Sequence, residues 1–282
     1  MGRREDVIGK WSEEKLELLE KYLRAYARIM SSQKRKRGWP EAFHYIDAFA
    51  GSGQARAKDE ERYIEGSPLR ALQCDPPFDC CWFIERSPQR VEKLESLRSQ
   101  FPNREIIIRL GDCNQILREE IIPQITRQRQ HGLVFLDPYG LQVEWETVVA
   151  LAKAKTFDVF VNFPLMGVIR ILKSDEPPTE RRRGLLKKVM GDDLWVNQIY
   201  YSQWTLLGEI KQERYIIRAE WLARIYADKV KEIFKYVSNP VIMTNSKNAP
   251  LYALFLASHN QTAVKIVNDI FSRYERLREV GR

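Results

Sequence analysis

The chain has 282 residues, which is enough for one large α/β domain or for such a domain with a helical addition. Its 46 basic and 38 acidic residues give a formal net charge of +8, which favours polyanions or acidic partners without identifying one. The four cysteines and three histidines show no metal-ligand spacing, and there is no signal peptide or membrane-spanning apolar run, so we expect a cytoplasmic protein with reduced thiols.

The first predicted element is an amphipathic helix over residues 12–33. Apolar side chains recur on one face from Leu16 to Met30, and Ser12 is a plausible start for this helix. The basic run Lys34–Arg37 and the breaker Trp39-Pro40 follow. We therefore assign residues 1–40 to an N-terminal helical segment.

Short apolar segments then alternate with amphipathic helices along residues 41–170. The predicted strands are His44–Phe49, Cys81–Glu85, Glu105–Leu110, Leu133–Asp137 and Phe157–Asn162. Such alternation predicts a mostly parallel sheet with helices on both faces.

The alternation stops at residues 171–238, which we predict to be a helical insertion that meets a partner. Its last helix, over about 209–236, is expected to bury Ile217, Trp221, Ile225 and Ile233. Residues 239–282 are predicted to return to the core, with a closing strand pair over 240–245 and 251–258 and a helix over 262–277. The sheet then has seven strands.

The turn after the first strand is the most informative stretch. The strand ends in Asp47, and Gly51 and Gly53 follow with only Ser52 between them. Glycine permits a positive φ and lets the backbone approach a ligand closely, so a nucleotide-like cofactor fits this turn. A dinucleotide fingerprint would need a third glycine where Arg56 stands. The segment Asp47–Gly53 instead resembles the first motif of S-adenosylmethionine (SAM) dependent methyltransferases.

Acidic residues follow the next two strands, and ligands bind at the carboxyl ends of strands in open α/β sheets. Glu85 can accept hydrogen bonds from both hydroxyls of a ribose. Asp112 can accept from an adenine amino group or cap the helix that starts at Asn114, and the two roles are compatible. Ser67 is predicted to cap the first core helix.

The fourth strand ends in Asp137-Pro138-Tyr139-Gly140. Amine-directed methyltransferases use an Asp/Asn-Pro-Pro-aromatic turn, in which the acid and a backbone carbonyl hold the amine and the ring stacks on its base. Here the second proline is missing, and Asp-Pro-aromatic-Gly is also an ordinary turn. Asn162 ends the fifth strand and is expected beside Asp137 if the two strands are neighbours.

Taken together, these motifs resemble the three-Cys-motif partner family (TcmP). They are Asp47–Gly53, Gly66–Pro68, Phe83–Glu85, Gly111–Asn114, Leu136–Gly140 and Asn162–Pro164. The family's usual Asp-Gly-Phe-Ala-Gly-Pro-Gly has Ala48 and Ser52 here. The resemblance implies a Rossmann-like class I methyltransferase fold, SAM as cofactor with S-adenosylhomocysteine (SAH) as product, and a separate three-Cys-motif protein of radical-SAM type as partner.

The resemblance also implies roles for particular residues. Cofactor contacts fall to Asp47, Phe49, Ala50, Gly51, Gly53, Glu85, Asp112 and Asn114. Acceptor contacts fall to Asp137, Pro138, Tyr139 and Asn162.

Three functions remain open at this point. The leading one is a SAM-dependent methyltransferase that acts with the partner protein on a nitrogen or oxygen of a nucleic acid or another macromolecule. The second is a non-catalytic SAM-binding subunit of that partner. The third, a nucleic-acid adaptor without cofactor, is disfavoured by Gly51, Gly53, Glu85 and Asp112.

Nucleic acid is also suggested by a basic group followed by the aromatic residues Trp195, Tyr200, Tyr201 and Trp204. The basic group consists of Arg181, Arg182, Arg183, Lys187 and Lys188. The alternative for these residues is a solvated surface with aromatic rings in the core.

Overall fold

The computed structural model describes residues 7–57, 62–172, 176–204, 210–215 and 217–280. The α-helices are Lys10–Arg37, Ser67–Leu72, Pro88–Gln100, Cys113–Ile116, Ile122–Arg127, Trp145–Ala154, Leu165–Ile171, Glu180–Met190, Ala219–Ile233 and Gln261–Val280. A π-helical stretch spans Leu117–Ile121, and a 3-10 helix spans Leu194–Gln198.

The main sheet contains strands β1 to β7. In chain order they are Phe43–Asp47, Cys80–Glu85, Ile106–Leu110, His131–Leu136, Phe157–Phe163, Val241–Thr244 and Pro250–Ser258. An eighth, two-residue strand, Tyr236–Val237, pairs with β7 along the same edge as β6. The spatial order is β3-β2-β1-β4-β5-β7-β6, with β1 to β5 parallel and β7 antiparallel to β5. This order defines a Rossmann-like class I methyltransferase fold, as the sequence predicts.

Strands β1 and β2 are buried along their whole length because helices cover both faces of the sheet. The N-terminal and C-terminal helices pack on one face, where Tyr22 stacks on Phe160 of β5 with ring centroids 5.8 Å apart. The helices Trp145–Ala154 and Ala219–Ile233 pack on the other face. The sheet therefore presents only its edges and its strand ends to ligands.

The insertion differs from its prediction in content and at one position of its last helix. It contains a β-hairpin, Tyr200–Trp204 with Ile210–Arg214, and its last helix starts only at Ala219. Of the four residues predicted to be buried, Ile217, Ile225 and Ile233 are partly buried and pack against the core. Trp221 is 37% exposed, so its predicted burial is wrong. The fully buried face of the helix carries Leu222, Tyr226 and Val230 with alanines at 219, 223 and 227.

Two helix starts also differ from prediction. The N-terminal helix begins at Lys10 and ends against Gly38, which has a φ of 63°. Gly66, not Ser67, caps the helix Ser67–Leu72. The residues before this helix form a small sheet, in which Gln54–Ala57 pairs with Tyr63–Glu65 and with Val7–Ile8.

Within the described residues, no helix is long and apolar enough to cross a membrane, and no group of metal-binding side chains is assembled. All four cysteines are buried with free thiols.

The carboxyl group of Asp158 in β5 lies inside the protein and accepts hydrogen bonds from Tyr22 (3.0 Å) and Ser258 (2.5 Å). Burial raises the pKa of Asp158 to about 6. The folded state therefore binds this proton more tightly than the unfolded state between about pH 4 and 6, and stability falls as pH rises through that window.

Asp158 should stabilise the protein at pH 5 relative to pH 7.5, so we expect Asp158→Asn to lower the free energy of unfolding at pH 5 relative to that at pH 7.5 by about 1 kcal/mol compared with wild type. Urea denaturation at the two pH values measures it. An unchanged pH difference in Asp158→Asn would contradict this assignment.

Candidate functional site

Two cavities open at the carboxyl ends of β1 to β4. The larger, of about 510 Å³, lies over the ends of β1, β2 and β3 and is flanked by the helix Glu180–Met190. The smaller, of about 290 Å³, lies between the N-terminal helix and the turn Phe49–Gly53, which we call the glycine turn. Phe49 and Tyr139 line both cavities, so the two form one elongated site.

The glycine turn lines the smaller cavity with its backbone. Gly51 and Gly53 have φ values of 64° and 79°, which disfavour any side chain. A Cβ on Gly53 would lie 2.9 Å from Leu97, and a Cβ on Gly66 would lie 2.8 Å from the carbonyl oxygen of Gly53. The amide of Gly66 also donates to that oxygen. These glycines therefore keep the turn flat against its neighbours and leave its backbone open to the smaller cavity.

Asp47 supports this turn from beneath and lines neither cavity. It is fully buried, and its carboxylate accepts from Tyr45 (2.9 Å), from the amide of Phe49 (3.2 Å) and from Ser67. Burial is the main cause that raises the pKa of Asp47 to about 6. The predicted cofactor contact of Asp47 is therefore corrected to a positioning role, because its oxygens face the protein.

Glu85 ends β2 and lines the larger cavity. One carboxylate oxygen accepts from the amide of Gly51 at 2.9 Å, and the other accepts from the amides of Arg86 and Ser87, both at 2.8 Å. Each carboxylate oxygen has two lone pairs, so acceptor capacity remains on the cavity side. Glu85 therefore ties the glycine turn to β2 and still presents a carboxylate to a ligand.

Asp112 and Asn114 follow β3 at the far end of the larger cavity. One oxygen of Asp112 caps the helix by accepting from the amides of Asn114 and Gln115. Its second oxygen has no hydrogen-bond partner within the part of the chain that the structure describes. The side-chain amide of Asn114 donates to Gln142 and accepts from Glu144 and Thr147. Asn114 therefore holds the cavity wall, and because it lines the larger cavity its contact with the cofactor stays a prediction.

Asp137 faces the smaller cavity and is held from two sides. Lys15 of the N-terminal helix makes an ion pair with one carboxylate oxygen at 2.5 Å, and Asn162 donates to the other at 2.7 Å. The side chain of Asp137 remains 21% exposed and that of Lys15 only 7%. Asn162 is fully buried and lines neither cavity, so it positions Asp137 instead of touching a ligand. Its Oδ1 atom is buried without a hydrogen-bond partner among the described residues.

Aromatic rings surround the ammonium group of Lys15. Its Nζ atom lies 5.7 Å from the ring centre of Trp11 and 6.0 Å from those of Phe135 and Tyr252. Trp11 in turn stacks on Tyr252 with ring centroids 5.3 Å apart. Cation–π attraction and the carboxylate of Asp137 together stabilise the buried charge.

Two members of the predicted basic group make ion pairs within the protein. Arg183 pairs with Asp193, and Lys188 pairs with Glu144 beside the larger cavity. Arg181, Arg182 and Lys187 are exposed. Trp195 is buried, whereas the side chains of Tyr201 and Trp204 lie outside the described residues.

Of the eight predicted cofactor residues, all except Asp47 line one of the two cavities. Pro138 and Tyr139 line the smaller cavity with Asp137. Sequence reasoning missed Lys15, Trp11 and Tyr252, which complete this cavity from the two ends of the chain. The signal that the sequence offered for this part of the cavity was Lys15, a lysine on the buried face of the predicted N-terminal helix.

No family model and no curated protein matches the chain. Among solved structures, it is similar to the protein LPL1258 from Legionella pneumophila, at 14% identity and a TM-score of 0.49, with 92% of each chain covered. It is also similar to the N-terminal domain of EvdMO1 with SAH bound (9% identity, TM-score 0.39, 84% of this chain and 81% of that chain). A SAM-dependent methyltransferase from Clostridium acetobutylicum has 11% identity and a TM-score of 0.36, with 87% of this chain and 97% of that chain covered. The fold assignment rests on strand order and not on these similarities.

Proposed function

We propose that this chain is a SAM-dependent methyltransferase that modifies a nitrogen or oxygen of a macromolecular acceptor. The observation that carries the proposal is the elongated site: a glycine turn at its centre, a carboxylate over the larger cavity and Asp137 in the smaller one. The larger cavity is the expected place for the nucleoside of the cofactor, and the smaller cavity is the expected place for the acceptor.

The residues present fit this cofactor. Glu85 offers a carboxylate for ribose hydroxyls, and the second oxygen of Asp112 offers an acceptor for an amino group. Gly51 and Gly53 adopt positive φ values, and without a Cβ they line the smaller cavity with their backbone. The apolar walls contributed by Phe49, Ile84 and Leu141 suit an adenine ring.

When bound, SAM supplies a sulfonium-activated methyl group, which needs a positioned nucleophile more than an activated one. Asp137 faces the cavity with its carboxylate fixed by Lys15 and Asn162, so it can orient an N–H or O–H donor on the acceptor. Tyr139 is 63% exposed at the junction of the two cavities and offers a ring against which an acceptor can stack. The apolar rings around Lys15 exclude water from that side.

Calorimetric titration of the purified protein with SAM and with SAH tests the proposal. We expect both to bind, and Glu85→Ala to weaken binding at least tenfold, because charge-assisted hydrogen bonds are worth about 1.5–3 kcal/mol each. Glu92→Ala, on an exposed position of the next helix, is the matched control and should leave affinity unchanged. Absence of binding and of a thermal shift at millimolar ligand would refute cofactor binding.

A second candidate function has its own supporting observation. The ammonium of Lys15 already lies where an acceptor amine would meet Asp137. This favours a non-catalytic SAM-binding subunit that presents a substrate to a partner enzyme, and the resemblance to TcmP names a three-Cys-motif protein of radical-SAM type as that partner. Methyl transfer by the isolated chain would decide against it.

A further inference from the structure

A third cavity, of about 340 Å³, lies between the small sheet and the helix Pro88–Gln100. We call it the basic cleft. On the sheet side, Arg56 and Tyr63 are directly opposite each other on paired strands and so project from the same face. On the helix side, the wall is formed by side chains of one helix face, on which residues three or four positions apart are neighbours. These residues are Lys93, Ser96, Leu97 and Gln100.

Within the described residues, the two cations of the basic cleft have no ion-pair partner. Neither Arg56 nor Lys93 makes an ion pair with any residue in the described part of the chain. The hydroxyl of Ser96 donates to a backbone carbonyl of its own helix, so the cations are the strongest donors there. Two cations facing one cleft without an internal carboxylate are suited to an anionic ligand.

The basic cleft adjoins the smaller cavity. Ser52 and Gln54 line both, so a ligand that extends along this surface can reach Asp137 and the basic cleft together. Tyr63 is 63% exposed and presents a ring beside Arg56. Cations for phosphates and an exposed ring for stacking are the features of single-stranded nucleic-acid binding.

We propose that the basic cleft binds the phosphate backbone of a single-stranded nucleic-acid acceptor whose reacting base enters the smaller cavity. The inference rests on the proposed function, since it names the substrate class of that site. Arg56 and Lys93 neutralise phosphates, and Tyr63 stacks on a neighbouring base. Asp137 then orients the atom that receives the methyl group.

Fluorescence anisotropy with labelled single-stranded RNA and DNA oligonucleotides tests this inference. We expect Arg56→Glu/Lys93→Glu to bind at least tenfold more weakly than wild type. The slope of log affinity against log salt should decrease by about 1.4, the value for two lost contacts to single strands. The matched control is Lys265→Glu/Arg276→Glu, which changes the net charge by the same amount on exposed residues of the C-terminal helix and should retain binding.

Several outcomes would overturn the inference. They are unchanged oligonucleotide binding by Arg56→Glu/Lys93→Glu, an equal loss in the control, or equally tight binding of poly-glutamate. Calorimetry with SAH separates this failure from failure of the proposed function. Retained SAH affinity in both double variants is expected, and a loss confined to Arg56→Glu/Lys93→Glu would assign the basic cleft to the cofactor instead. Competition by a mononucleotide would indicate that one phosphate is enough for binding. Lack of competition would indicate that binding requires a strand. Both results support the phosphate site.

Discussion

Asp137→Ala should reduce methyl transfer at least about 100-fold, or roughly 2.7 kcal/mol, while SAH affinity stays at the wild-type value. Asp137 is the one acidic side chain of the smaller cavity within the described residues, and it is fixed by Lys15 and Asn162. Removing it leaves the acceptor without the group that holds it in line with the methyl donor. The variant keeps Glu85 and the glycine turn, so cofactor binding has no reason to change.

The measurement is single-turnover transfer at saturating cofactor, with an acceptor found by incubating the protein with labelled SAM and RNA, DNA or protein fractions. Asn162→Ala should lose less activity, because Asn162 acts only through Asp137. Asp137→Ala/Lys15→Met serves as a second variant that leaves no unpaired ammonium in the cavity. Equal rates for wild type and Asp137→Ala would refute the acceptor role and favour the non-catalytic subunit.

Lys15→Met should lower the free energy of unfolding by about 2–3 kcal/mol. Removing one partner of a buried ion pair leaves the other charge uncompensated, which typically costs about 3–5 kcal/mol. Asp137 keeps 21% exposure and its bond from Asn162, so the cost should lie at or below the low end of that range. Methionine preserves most of the side-chain volume among the aromatic rings.

Urea denaturation of Lys15→Met, Lys15→Met/Asp137→Asn and Lys21→Met measures this effect. The double variant should recover at least half of the loss, because it no longer buries an unpaired carboxylate. Lys21 is exposed on the same helix and serves as the control. If Lys15→Met is no less stable than Lys21→Met, the ion pair does not hold this helix.

Most of the fold could be predicted from local sequence. Parallel strands that are buried on both faces have short apolar sequences, and each predicted strand is present with bounds within two residues of the prediction. The proximity of Asn162 to Asp137 followed from strand adjacency, and β4 and β5 are neighbours.

The parts that could not be predicted depend on contacts between distant segments. Lys15 and Asp137 are 122 residues apart, and no periodicity encodes such a pair. Asp47 carries the right chemistry for a ligand, but neighbouring donors inside the protein already use it. The exposure of Trp221 depends on how the helix Ala219–Ile233 is turned towards the sheet, which hydrophobicity alone does not determine.

The smaller cavity joins segments that are far apart in the sequence. Trp11 and Lys15 come from the first helix, and Tyr252 comes from β7, while Tyr274 of the last helix donates to Glu14 at 2.7 Å across 260 residues. During synthesis, the glycine turn and β1 to β4 can associate before these contacts exist, because β7 follows them in the chain. A nascent chain can therefore possess most of the lining of the larger cavity while the smaller cavity is incomplete. The smaller cavity is complete only after Tyr252 has been synthesised and β7 has joined the sheet.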